Sequence, residues 1–216
     1  VGSEMCIRDR VYPDQFIPIL ESTGRIVDLD LYIFEQVAQF LQRNARAGHR
    51  LLPIAVNVSA VLAREDTPTQ EYSEILEKHN ISARMLEIEL TETAVVSEYD
   101  RVKRLLSSFQ SDGMQTSLDD FGAGSSLLNN MVDIPVNTIK LDKLFLTRCS
   151  SNARGTDFLR EIVHLAKRLG YNVICEGIET EEQVQLLRSL DCDGAQGFWF
   201  SKAIPACLLY TSPSPR

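Results

Sequence analysis

The sequence predicts an α/β fold built on a parallel sheet, and three observations carry that prediction. Short apolar runs alternate with segments of helical periodicity. Several of the runs are near-continuous hydrophobics, the pattern of parallel strands covered on both faces. Each run also places a ligand-type residue at or near its C-terminal end, and in parallel α/β folds those ends share the face on which sites form.

In chain order, "FIPILESTG" and "IVDLDLYIFEQVAQFLQRN" read as two helices ahead of the first run. Six candidate strands follow: "LLPIAVNVS", "MLEIELTE", "MQTSLDD", "NTIKLD", "NVICEG" and "GAQGFWF". The stretch "REDTPTQEYSE" reads as a solvated helix start between the first two. Between the second and third, Val102, Leu105, Leu106 and Phe109 make one helical stripe. Phe158, Ile162, Leu165 and Leu169 make another, closed by Gly170. Thr180 to Gln183, "TEEQ", is a capping box that opens the last helix. Repeated β-α units of this kind imply right-handed crossovers within one sheet.

Composition narrows the class. With 216 residues, 44% of them apolar, the chain has enough material for one large globular domain. A net charge of -8 without a Lys/Arg cluster argues against a nucleic-acid polymer as partner. The uncharged apolar runs are too short for a membrane segment. Five cysteines with no C-x-x-C spacing are expected of a reduced protein without a disulfide framework or zinc site, and the expected location is cytoplasmic. Residues 1–10 and 207–216 match nothing in the periodicity of the interior and resemble translated sequencing-adapter sequence. They are set aside as non-native, leaving 11–206 as one domain and a fragment of a longer gene.

The polar residues at the run ends are Asn57, Glu89, Asp119 with Asp120, Lys140 with Asp142, Glu176 and Gln196. Two adjacent aspartates either cap the next helix or share something strongly positive. Capping explains one such residue but not six strand ends in succession. Converging carboxylates with no arginine beside them call for cations. An all-oxygen set of Asp, Glu and Asn suits Mg²⁺ or Mn²⁺ and not zinc. One aspartate bridging two ions, while its neighbour holds the second, would account for the pair.

The motifs "NVS", "ELTET", "DDFGAG", "IKLD", "CEGIET" and "QGF", in this order, resemble the EAL domain, the cyclic di-GMP phosphodiesterase module of bacteria. "FIPILESTGRI" resembles the segment that follows the family's name-giving motif. The resemblance implies a TIM-like (β/α)8 barrel of the EAL type, here lacking its first two strands. It implies hydrolysis of cyclic di-GMP to linear pGpG with two ions, Mg²⁺ or Mn²⁺. Asn57, Glu89 and Asp119 then resemble the ligands of one metal, and Asp119 and Asp120 those of the second, with Glu176 nearby. Lys140 resembles the lysine that positions or deprotonates the attacking water. Glu92 resembles the residue ordering the loop after "DDFG"; Asp142 and Glu179 look like supporting acids, with Asp142 and Gln196 on the substrate side. A homodimer is implied for the intact parent, which other domains could anchor to a membrane.

Departures from the family pattern are also visible. The E-A-L tripeptide is absent, Ala123 and Ser125 stand where threonine and tyrosine are usual, and Cys175 and Phe198 replace alanine and tyrosine. A six-stranded barrel is expected to be inactive by itself. The alternative to an active enzyme is a degenerate EAL domain that binds cyclic di-GMP as a sensor or interaction module. His49, His79 and His164 read as surface or packing residues, and Trp199 and Phe200 as filling of the barrel core.

Overall fold

The structure, a computed structural model, describes residues 11–65, 68–123, 131–206 and Leu209. Ser125 and the two end segments set aside above, Leu209 excepted, lie outside the described residues. Two helices, α1 (Pro13–Ser22) and α2 (Ile26–Arg46), precede the sheet, as the sequence predicts. Six strands follow: β1 (Ile54–Asn57), β2 (Leu86–Thr91), β3 (Gln115–Phe121), β4 (Thr138–Leu141), β5 (Asn172–Cys175) and β6 (Gly194–Ala195). They lie side by side in sequence order, every pair parallel. Among the described residues β1 and β6 are the two edges of one sheet.

Parallel neighbours cannot be joined by a tight turn, so helices fill the connections. These are α3 (Gln70–His79) before β2, then α4 (Glu92–Ser97) and α5 (Tyr99–Ser111) before β3. On the far side of β4 come α6 (Lys143–Cys149) and α7 (Ala153–Arg168), and α8 (Glu181–Ser189) leads into β6. The stripe predicted on α5 is the one it buries, Val102, Leu105, Leu106 and Phe109 all lying in the core. The capping box on α8 also forms, with Thr180 accepting from the Gln183 N–H and the Gln183 side chain returning to the Thr180 N–H.

Strand alternation divides the sheet by polarity. Val56, Ile88, Leu90, Leu118, Ile139, Leu141, Val173 and Cys175 share one face and pack in the hydrophobic core with the helix stripes. The opposite face carries Asn57, Glu89, Ser117, Thr138 and Lys140. The prediction of apolar cover on both faces therefore fails at β2. "LEIELT" alternates strictly, its leucines and isoleucine buried against helices and its polar residues on the inner face.

Two further expectations are corrected. Helix α7 buries Leu159, Ile162, Val163 and Ala166, while Phe158, Leu165 and Leu169 are exposed. Two adjacent apolar stripes share Ile162, and spacing alone does not choose between them. Trp199 and Phe200 do not fill the core; both are exposed, as is Phe198 beside them. The last strand stops before them because Gly197 lies against the backbone of Ile178, where a Cβ would come within 2.2 Å of its nitrogen. The Trp199 N–H then donates to the Ile178 carbonyl, turning the chain away from the sheet.

Candidate active site

Because all six strands run the same way, their C-terminal ends form one rim. Residues separated by two along a strand share a face, so the register determines which side chains meet. Asn57, Glu89 and Ser117 stand in one row, and Lys140 lies two residues beyond Thr138, the partner of Ser117. Asp119 is two residues beyond Ser117, and Glu176 two beyond Ile174, the partner of Lys140. Five of the predicted residues thus fall on the inner face by parity.

Asp120 breaks that parity. An unbroken strand would send it to the helix side, opposite Asp119. The ladder between β3 and β4 shifts register between Leu118 and Phe121, a bulge, and Asp120 adopts a left-handed backbone (φ 56°). Aspartate tolerates that conformation better than most residues, its short side chain bonding locally. The Asp120 N–H donates to Asp119 Oδ1 at 3.0 Å. Both carboxylates are consequently presented to one place: oxygens of Asp119, Asp120 and Glu176 lie within 4.8 Å of one another. A helix cap further along falls outside the described residues.

At the centre stands the Lys140 ammonium, 2.6 Å from Glu176 Oε1, 2.7 Å from Glu89 Oε1 and 3.6 Å from Asp119 Oδ1. Burial alone would push the Lys140 pKa down, but the hydrogen bonds to Glu176 and Glu89 outweigh it and hold the amine above the ordinary lysine range. Burial pushes Glu89 up despite the Lys140 contact. Burial, followed by the charges of Asp119, Asp142 and Glu176, raises Asp120. One ammonium therefore faces four carboxylates. That surplus of negative charge and an all-oxygen donor set fit a divalent cation.

The surrounding residues hold this cluster. Thr91 caps α4, which places the buried Glu92 so that its Oε2 accepts the Gly122 N–H at 2.8 Å. Gly122 has φ 93°, and a Cβ there would sit 2.5 Å from the Phe145 ring. Asp142 caps α6, its Oδ1 accepting from Leu144 and Phe145. Gln196 Nε2 donates to Glu176 Oε1 at 2.5 Å. Glu179 pairs with Lys143 at 2.6 Å, and both line a cleft of about 400 Å³ with Gly177, Gln196 and Phe198. Asn57 lies at the neighbouring strand end, exposed and in register with Glu89. The structure thus brings Glu89, Asp119, Asp120, Lys140, Glu176 and Gln196 into direct contact or close approach, while Glu92, Asp142 and Glu179 bind the adjoining backbone or Lys143. His79 is buried at the end of α3, 3.4 Å from Glu35, and packs there away from the acidic cluster's contacts.

Sequence reasoning missed Asp30. This aspartate on α2 is almost fully buried, and its Oδ2 accepts the Ser59 N–H at 2.8 Å, two residues past Asn57. Burial raises its pKa to about 6. The available signal was positional, since Asp30 sits in the buried stripe of Ile26, Phe34, Ala38 and Leu41.

The family profile of the EAL domain matches residues 8–203. This chain belongs to the EAL domain family. Among curated relatives, the signaling protein YkoW of Bacillus subtilis is 32% identical over 89% of this chain and 24% of its own length. The cyclic di-GMP phosphodiesterase NbdA of Pseudomonas aeruginosa is 32% identical over 91% of this chain and 25% of its own. This EAL domain also superposes on the PaMucR phosphodiesterase solved in complex with c-di-GMP. The TM-score is 0.82 at 29% identity, covering 92% of this chain and 81% of that one. The fold is of the EAL type, and the chain spans about a quarter of the length of the curated relatives it matches. Among the described residues no helix is long and apolar enough to cross a membrane.

Proposed function

We propose that this EAL domain is the catalytic part of a phosphodiesterase that hydrolyses cyclic di-GMP to linear pGpG. The observation that carries the reading is the bulged Asp119–Asp120 pair, which gathers with Glu176 and Glu89 around Lys140 at the rim of a parallel sheet. The names of NbdA and of the PaMucR complex support the substrate.

The residues fit two divalent cations, Mg²⁺ or Mn²⁺. Asn57, Glu89 and Asp119 would hold one; Asp119 and Asp120 the other, with Glu176 beside it. Bound there, such ions stabilise charge on phosphoryl oxygens and lower the pKa of water. The chain's own residues do the positioning. Lys140, in contact with Glu89 and Glu176, would position the attacking water and offset phosphoryl charge. Gln196 orients Glu176 and faces the cleft in which the substrate would lie. Asp142 and Glu179 support that wall, and Glu92 fixes the turn at Gly122 that follows the aspartate pair. A homodimer and additional domains belong to the same reading of the parent, the latter supported by the greater length of the relatives.

The test is conversion of cyclic di-GMP to pGpG by the full-length parent, with Mg²⁺ or Mn²⁺ added or chelated. Asp119→Asn should cost more turnover than Gln196→Ala, because Asp119 serves both ions. Equal losses would remove the bridging role. Tight binding of cyclic di-GMP with no product at any cation concentration would instead identify a sensor.

A further inference from the structure

Behind the acidic cluster, on the opposite face of the sheet, two thiols approach each other. Cys175 ends β5 and is buried against the helices, whereas Cys192 lies in the connection between α8 and β6 and is partly exposed. Their sulfurs are 3.7 Å apart and unbonded. A disulfide needs an S–S distance of about 2 Å. The gap is therefore smaller than the ordinary freedom of a side chain on an irregular connection. We propose that Cys192 is a peroxide-reactive thiol with Cys175 as its resolving partner, the pair closing a reversible disulfide that ties β5 to the approach of β6.

The two sulfurs are unequal in the way such a reaction requires. Cys175 is buried, whereas Cys192 is partly exposed and so meets peroxide first, with the Cys175 sulfur in reach behind it. The thiolate is the nucleophile, and sensor cysteines are accessible and lie beside a resolving thiol. Lys167 pairs with Asp191 at 2.8 Å and Asp193 at 3.1 Å, the residues on either side of Cys192, and so holds this short connection in place. In the first step the Cys192 sulfur attacks one peroxide oxygen and the O–O bond breaks. This leaves a sulfenic acid at Cys192 and hydroxide, which is protonated to water. In the second step Cys175 attacks the sulfenic sulfur, expelling the hydroxyl as a second water. Two thiols are oxidised by two electrons and one peroxide is reduced; a dithiol reductant reverses the change.

The position gives the crosslink a consequence. Cys175 immediately precedes Glu176, and its carbonyl accepts the Gln196 N–H at 2.9 Å. A bond at Cys175 therefore acts next to Glu176 in the chain and on the backbone partner of Gln196, the two residues of the Glu176–Gln196 hydrogen bond. The inference does not depend on the activity proposed above, and its test does not use that activity.

The reduced full chain is treated with hydrogen peroxide, quenched with an alkylating reagent and mapped by peptide mass spectrometry. The expected result is a Cys175–Cys192 crosslinked peptide lighter by two hydrogens. Both residues should disappear from the alkylated pool and return after dithiothreitol. Cys149, buried and with its thiol pushed up by that burial, serves as the internal control that stays reduced. In Cys175→Ala, dimedone should label Cys192 after peroxide, because the sulfenic acid then has no resolving partner. Unchanged alkylation of Cys192 in the wild-type chain would overturn the proposal, as would a crosslink that joins Cys192 to any other cysteine.

Discussion

Replacing Lys140 by methionine tests the electrostatic core of the site directly. Methionine has a similar reach and no charge, so the change removes the ammonium with little loss of packing. Glu89, Asp119 and Glu176, at 2.7, 3.6 and 2.6 Å from that nitrogen, would then face one another uncompensated. Breaking a buried pair by removing one partner costs about 3–5 kcal/mol. Asp119 and Glu176 are partly exposed and can turn outward, which places the expectation at the lower end, about 3 kcal/mol. For a domain of this size that corresponds to a melting temperature lower by roughly 6–12 °C. The sign of the pH dependence follows from Glu89. Its folded pKa already lies above the ordinary range through burial, and without Lys140 it rises further. The folded state then holds its proton more tightly than the unfolded state. The deficit of Lys140→Met is therefore largest above neutrality and shrinks as pH falls through the folded pKa of Glu89. A divalent cation at 100 times its dissociation constant adds about 2.7 kcal/mol, so Mg²⁺ or Mn²⁺ should raise the variant's melting temperature more than that of the wild type. Thermal melts of both chains from about pH 5 to about pH 8, with and without each cation, make the comparison. Identical melting above neutrality, or equal cation shifts in the two chains, would refute the argument.

Two other substitutions probe the supports. Asp30→Asn retains an acceptor for the Ser59 N–H but removes a buried charge whose pKa is raised from 3.8 to about 6. The wild type should therefore lose stability relative to the variant as pH rises through that window, by up to about 3 kcal/mol before screening is discounted and nearer half that after it; urea titrations showing a pH-independent difference would count against it. Glu92→Ala strips the Gly122 N–H of its acceptor at 2.8 Å and should cost about 1.5–3 kcal/mol, while Glu92→Gln should recover at least half. Chemical denaturation that ranks the two variants equally would show that the carboxylate does not hold the turn.

What could be read in the sequence, and what could not, follows from how each signal is encoded. The six strands and their order were legible because "NVS", "IKLD" and the other runs each end on a polar residue, and a parallel sheet can only collect such ends on one rim. The exposed side of α7 was not legible, since Phe158 and Leu159 are equally apolar and only the sheet decides which of them turns inward. Asp30 was hidden for the opposite reason. An acid in a helix is ordinarily solvated, and only the position of Ser59, 29 residues later, makes its burial useful. The aspartate pair lies between these cases. Its chemistry was readable from composition, but its geometry was not. Alternation puts neighbours on opposite faces, so "DD" at the end of an ideal strand would deliver a single carboxylate to the site. Delivering both requires the extra residue of the bulge and the left-handed turn at Asp120. Those in turn need Gly122, whose lack of a side chain lets Phe145 close over the turn, and Glu92, which takes the N–H of that same glycine. The motif "DDFG" is therefore one structural device: its two acids point the same way only because the two residues after them let the strand end irregularly.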